Sequence, residues 1–121
     1  VVIRVNVEDM DPYYRLADVC IFPSRGEEGY GLTVLEALAY GKPVITSKIF
    51  ELTGVVSKDI ALITEPENPQ ALAKAIISIH NGEVDVESMI MRGLEHAKKF
   101  SWSRVAEVME QVMYSVVEKQ R

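Results

Sequence analysis

Asp18-Val19-Cys20-Ile21-Phe22, then Pro23-Ser24-Arg25-Gly26-Glu27-Glu28-Gly29-Tyr30-Gly31, then Leu32-Thr33-Val34-Leu35-Glu36-Ala37-Leu38-Ala39-Tyr40-Gly41-Lys42-Pro43, then Val44-Ile45-Thr46: this stretch decides the fold. A short β-branched and apolar run reads as a buried strand. The glycine-rich segment after it reads as a loop. Leu32, Leu35, Leu38 and Ala39 then recur at helical spacing, and Gly41 followed by Pro43 stops the helix. Strand, glycine loop, helix and strand in that order make a βαβ unit, which means a parallel sheet with right-handed crossovers.

The same alternation continues on both sides. Val1 to Val5, Val19 to Phe22, Val44 to Thr46 and Ala61 to Thr64 read as strands. Asp11-Pro12 opens a helix whose apolar face is Tyr13, Leu16 and Ala17, with proline in the first turn. Pro66 and Asn68-Pro69 open another, with Leu72, Ala75, Ile76 and Ile79 on one face and Asn81-Gly82 at its end. Two helices close the chain, around Val86 to Lys99 and Trp102 to Lys119. The second is expected to bury Val105, Val108, Met109, Val112, Met113 and Val116, with Phe100 and Trp102 as its anchor. The predicted class is a Rossmann-like α/β/α sandwich with extra C-terminal helices.

Composition narrows the function. The chain has 121 residues, enough for one core, with 48% hydrophobic and 26% charged residues. Its 18 acids against 13 bases give a net charge of −5, which argues against nonspecific nucleic-acid binding. The single cysteine, Cys20, sits in a strand pattern and reads as a buried thiol, and one cysteine makes neither a disulfide nor a multi-cysteine metal site. No apolar run approaches the ~18 residues a membrane helix needs. No signal peptide is visible, so a cytoplasmic setting is expected. A start without Met inside a strand-like run suggests a piece of a longer protein.

The loop and helix start carry the chemistry. Ligands of open parallel sheets bind at the carboxyl ends of the strands, where Pro23 to Gly31 would lie. Gly29 and Gly31 let the backbone approach a ligand closely. The N–H groups of Gly31, Leu32 and Thr33, with the Thr33 hydroxyl, would face a phosphate. Glu36 lies about 7.5 Å further along the helix axis and leans back toward that end, sharing a face with Thr33, so it could accept both hydroxyls of a ribose. Glu28, in the loop on the other side, could accept hydroxyls of a sugar. Acids near a helix start also stabilise its dipole by about 0.3–1 kcal/mol with no ligand bound, and Glu36 could be a solvated position, so residue chemistry alone leaves both readings open. Tyr30 has two readings as well, stacking on a ligand or packing the loop.

The run Glu28-Gly29-Tyr30-Gly31-Leu32-Thr33-Val34-Leu35-Glu36 resembles the E-x7-E motif of retaining GT-B glycosyltransferases, the large family four of glycosyl transferases group 1. Tyr14-Arg15-Leu16-Ala17-Asp18-Val19, Pro23-Ser24 and Gly41-Lys42-Pro43-Val44-Ile45 resemble its flanking segments. Glu51, Pro66, Leu72-Ala73-Lys74-Ala75-Ile76 and Phe100-Ser101-Trp102 fall in the family's order downstream, so the resemblance covers nearly the whole chain. It implies that residues 1–121 are part of a C-terminal, donor-binding domain. It also implies that Glu28 is the catalytic and sugar-holding residue and that Glu36 holds the donor ribose. The backbone from Gly29 through Tyr30, Gly31 and Leu32 to Thr33 would hold the diphosphate and hexose. The partner implied is a nucleotide-diphospho-sugar, with an acceptor held by an N-terminal domain; no cofactor and no metal site is expected.

The chain departs from the family pattern in two places. Ser47-Lys48-Ile49-Phe50-Glu51 stands where many members have a Gly-Gly pair, and Gly29 stands where many have proline. Two other function classes compete with this one: a noncatalytic nucleotide-sugar-binding or scaffolding module of the same fold, and a receiver-like phosphate-binding domain. The latter needs an acceptor aspartate at a strand end, whereas Asp18 begins its strand.

Overall fold

A computed structural model describes residues 2–26 and 29–119. In chain order the elements are α1 (Asp11–Leu16), β1 (Cys20–Phe22), α2 (Leu32–Ala39), β2 (Val44–Ser47), α3 (Lys48–Leu52), β3 (Leu62–Thr64), α4 (Pro69–His80), α5 (Val86–Lys98) and α6 (Trp102–Lys119). The strands form one parallel sheet in the order β1-β2-β3. Cys20 lies opposite Val44 and Phe22 opposite Thr46, while Ile45 lies opposite Leu62 and Ser47 opposite Thr64. The α/β class and the parallel sheet expected from the sequence are thus the observed ones.

The central strand explains the core. β2 is buried at every position, as a strand covered on both faces must be. Above it α2 contributes Val34, Leu35, Ala37 and Leu38, and the segment after β2 contributes Phe50, Val55, Val56, Ile60 and Ala61. Each fully buried valine, leucine, isoleucine or phenylalanine among them contributes roughly 1.5–3 kcal/mol over leaving it in water. α2 packs against β2 and α5. Gly93 of α5 makes that close approach possible, because a Cβ there would sit 2.9 Å from a methyl of Leu38. α2 ends as its residues dictate. Gly41 takes φ +65°, and the N–H groups of Gly41 and Lys42 return to the carbonyls of Leu38 and Ala37.

Four expectations are corrected. Residues 2–5 form no strand, and Val2, Ile3 and Val5 are exposed; Val1 lies outside the described residues. β1 ladders with β2 alone among the described residues, so its outer edge is open, yet the first run does not pair with it; β-branched composition by itself does not order a strand. α1 is turned from its expected face: Tyr14 is buried, Tyr13 is exposed and Leu16 is 82% exposed. In α2, Val34 and Ala37 are buried while Leu32 and Ala39 are exposed, so the inward stripe is displaced around the helix. α6 runs as expected from Trp102 to Lys119, yet its apolar stripe is exposed throughout and Trp102 is 87% exposed. Periodicity identifies the face a helix would bury, but no described element covers this one. The sequence also hid α3, whose five residues are too few to show a period.

Candidate functional site

The loop from Pro23 to Gly31 leaves the carboxyl end of β1 and enters α2 through a single glycine. Gly31 is the N-cap residue, in the left-handed region at φ +82° and ψ +36°. An L side chain there is strained. Its Cβ would also lie 2.9 Å from Cδ1 of Phe50, whose ring is buried in the core. The Phe50 ring is therefore the floor on which Gly31 rests. Because the N-cap residue is glycine, no side chain caps the first turn of α2, and no acid lies in that turn. The first N–H groups of a helix have no partner within it, so this turn presents donors and the positive end of the dipole.

Glu36 lies one turn further on, on an exposed part of α2. Its carboxylate is held from the neighbouring helix. Tyr14 of α1 is only 6% exposed, and its phenol O–H donates to Oε2 of Glu36 at 2.9 Å, with the carbonyl oxygen of Thr33 3.3 Å away. Burial, then the bond to Glu36, makes the Tyr14 phenol a much weaker acid than usual. The ring of Tyr14 stacks on that of Tyr40 at 5.0 Å. The Tyr40 O–H donates to Oδ1 of Asp11 at 2.6 Å, and Arg15 Nε donates to Oδ2 of the same carboxylate at 2.7 Å. The Arg15 and Tyr40 bonds hold the Asp11 carboxyl below its ordinary range, and the Asp11 bond makes the Tyr40 phenol a weaker acid than usual. Lys42 Nζ donates to the carbonyl of Arg15 at 2.9 Å, so this lysine ties down the end of α1. Together these contacts clamp α1 across both ends of α2.

Two open cavities flank the loop. One, of about 550 Å³, lies over the strand ends and is lined by Pro23, Arg25, Ser47, Thr64 and the start of α4. The Ser47 hydroxyl is buried and has no hydrogen-bond partner among the described residues. The other, of about 880 Å³, is lined by Tyr30, Leu32, Glu36, Phe100 and Trp102, and is largely apolar. Among the expected site residues, Tyr30, Leu32 and Glu36 are therefore gathered on the second cavity, and Thr33 adjoins the Tyr14–Glu36 contact. Gly29 is exposed in the loop, and Glu28 lies outside the described residues. Tyr30 meets Phe100 edge-on at 6.1 Å, and Phe100 tilts against His96, whose ring bonds the Val55 carbonyl at 2.9 Å. The Tyr30 ring thus rests edge-on against Phe100 while staying more than half exposed, and His96 supports Phe100 from the other side of that contact. Glu51, half-buried, lines a third cavity with Lys48 and Lys58.

Other groups are set aside by their surroundings. Cys20 is buried, and burial raises its thiol, so it is an inert core residue. Among the described residues no three potential metal ligands come together, and no helix is long and apolar enough to cross a membrane. Sequence reasoning missed Tyr14 as a partner of Glu36. The two are 22 residues apart on different helices, and no local spacing connects them.

Comparison with known proteins adds what geometry alone does not. The family described as "Glycosyl transferases group 1" matches residues 1–81. O-antigen chain mannosyltransferase B of Escherichia coli is 36% identical over 95 residues, covering 78% of this chain and 24% of its own length. D-inositol 3-phosphate glycosyltransferase of Corynebacterium diphtheriae is 30% identical over 106 residues, covering 87% of this chain and 25% of its own. Among solved structures, sucrose-phosphate synthase from Thermosynechococcus elongatus superposes with a TM-score of 0.75 at 31% identity, over 91% of this chain and 28% of that one. The C-terminal domain of a glycosyl transferase group 1 family protein from Francisella tularensis gives 0.66 at 23% identity, over 82% and 51%, and shares the fold. The chain thus spans about a quarter of the length of the curated relatives it matches.

Proposed function

From the premise that this chain belongs to the glycosyl transferases group 1 family, we propose that it forms the nucleotide-sugar side of a retaining GT-B glycosyltransferase of family four. In this reading residues 1–121 are part of a C-terminal domain, and an N-terminal domain of the same cytoplasmic protein holds the acceptor. The diphosphate of the donor lies against the N–H groups that open α2, from Gly29 and Tyr30 through Gly31, Leu32 and Thr33. The carboxylate of Glu36 accepts the ribose hydroxyls, and Glu28 takes the hydroxyls of the sugar being transferred and acts at the reacting centre.

The observation that carries this reading is the start of α2. A left-handed glycine leaves the first turn uncapped and free of acids, and a carboxylate stands one turn beyond it. Anion-accepting N–H groups followed by a diol-accepting carboxylate fit a nucleoside diphosphate better than a bare phosphate, which needs no carboxylate nearby. Relatives whose names specify a mannosyltransferase and an inositol phosphate glycosyltransferase support sugar transfer as the chemistry.

Titration of the full-length protein with UDP-, GDP- and ADP-sugars tests the reading. One of the three should bind, and Glu36→Gln should weaken its binding by about 1.5–3 kcal/mol, the range for hydrogen bonds to a charged group. Unchanged affinity in that variant would remove the ribose role. Glu28→Ala should impair transfer more than it impairs nucleoside diphosphate binding, and equal losses would contradict its place at the transferred sugar. Tight donor binding with no transfer to any acceptor would favour a noncatalytic binding module of the same fold.

A further inference from the structure

A carboxylate on an exposed helix turn samples several side-chain rotamers, and ordering it when a ligand arrives costs entropy. Glu36 is not left in that state. Tyr14 is buried, so its hydroxyl needs an acceptor, and an unpaired buried hydroxyl is costly. Its nearer acceptor is Oε2 of Glu36 at 2.9 Å, with the Thr33 carbonyl oxygen at 3.3 Å. The phenol cannot swing away, because its ring is stacked on Tyr40, which Asp11 holds in turn. The weakened acidity of the phenol keeps it a donor throughout the working pH range.

An ionised carboxylate offers about four lone-pair positions. Tyr14 uses one of them on Oε2, which leaves Oε1 and the second lone pair of Oε2 for two further donors. A vicinal diol supplies two. We propose that Tyr14 is a positioning residue that sets the Glu36 carboxylate for the 2′,3′-diol of a nucleoside diphosphate, and so makes the site select ribose. This rests on the assignment of Glu36 to the donor ribose.

The test compares whichever of UDP, GDP and ADP binds the full-length protein best with its 2′,3′-dideoxy counterpart, in wild type, Tyr14→Phe, Glu36→Gln and the double variant. Phenylalanine keeps the ring and its stack on Tyr40 while removing the donor. Tyr14→Phe should weaken the ribose form about three- to tenfold and leave the dideoxy form unchanged, so that the preference for ribose falls by the same factor. In the Glu36→Gln background the tyrosine change should have no further effect on that preference. An undiminished preference in Tyr14→Phe, alongside a diminished one in Glu36→Gln, overturns the positioning role and leaves the ribose assignment standing. Equal weakening of both forms marks a packing role and overturns it too. A wild type that does not distinguish the two forms removes the ribose assignment and this inference together.

Discussion

At the scale of single residues, Gly31 is where local geometry and the candidate site meet. Its φ of +82° excludes most side chains, and the Phe50 ring closes the space a Cβ would fill. Phe50 is 2% exposed and cannot move aside without disturbing the core. Gly31→Ala should therefore destabilise the fold by about 2 kcal/mol, combining a strained backbone with overpacking. It should also displace the first turn of α2. Urea unfolding checks the first effect, and a drop in donor affinity larger than stability loss explains checks the second. The glycine, the helix it opens and the place of Glu36 on it were all legible, because turn chemistry and helical spacing are local. The Tyr14–Glu36 bond was not, since it depends on how α1 settles against α2.

At the scale of elements, helix caps give a pH-dependent handle. Asp85 precedes α5 and its side chain accepts from the N–H of Ser88 at 3.1 Å. Hydrogen bonding by Ser88, first through its side chain and then through this backbone N–H, lowers the Asp85 carboxyl below its ordinary 3.8. A carboxyl lowered on folding stabilises fully above its unfolded value, and the contribution fades as pH falls through the folded one. Asp85→Asn keeps an acceptor and removes the charge, so its unfolding midpoint should fall less steeply than that of the wild type from about pH 5 to about pH 2. Chemical unfolding across that range decides it, and parallel slopes would remove Asp85 as a source of the acid sensitivity.

Elements also show what sequence can and cannot convey. Val19 to Phe22, Val44 to Thr46 and Ala61 to Thr64 were each located to within a residue, because Gly, Pro and charged residues mark their limits. The run from Val1 to Val5 has the same composition and forms no strand over its described residues, since pairing requires a neighbour that composition does not reveal. α1 and α3, of six and five residues, are too short for an apolar period to fix their orientation.

At the scale of the whole molecule, stability is concentrated in the sheet, α2, α5 and the Phe50 segment. α6 is the longest helix, yet it buries none of its side chains. Most helical stability in proteins comes from packing an apolar face, so α6, with none of its residues buried, adds little to the cooperative unit. A chain ending at Val105 should keep its thermal midpoint within a few degrees of the intact protein, measured by near-ultraviolet circular dichroism. A large fall would show that α6 stabilises the core through contacts its exposure does not reveal.

The order of the strands governs how such a chain acquires its structure. Among the described residues each strand pairs with the next one in sequence, and no ladder there joins strands that are not consecutive. Parallel pairing still has to wait for each crossover to close, so the order of synthesis sets the order in which ladders can form. A nascent chain could close β1 on β2 through α2 as soon as Ser47 is free, before β3 has been synthesised. The turn at Gly31 belongs to that first unit, so a substitution there should slow folding as well as weaken the folded state.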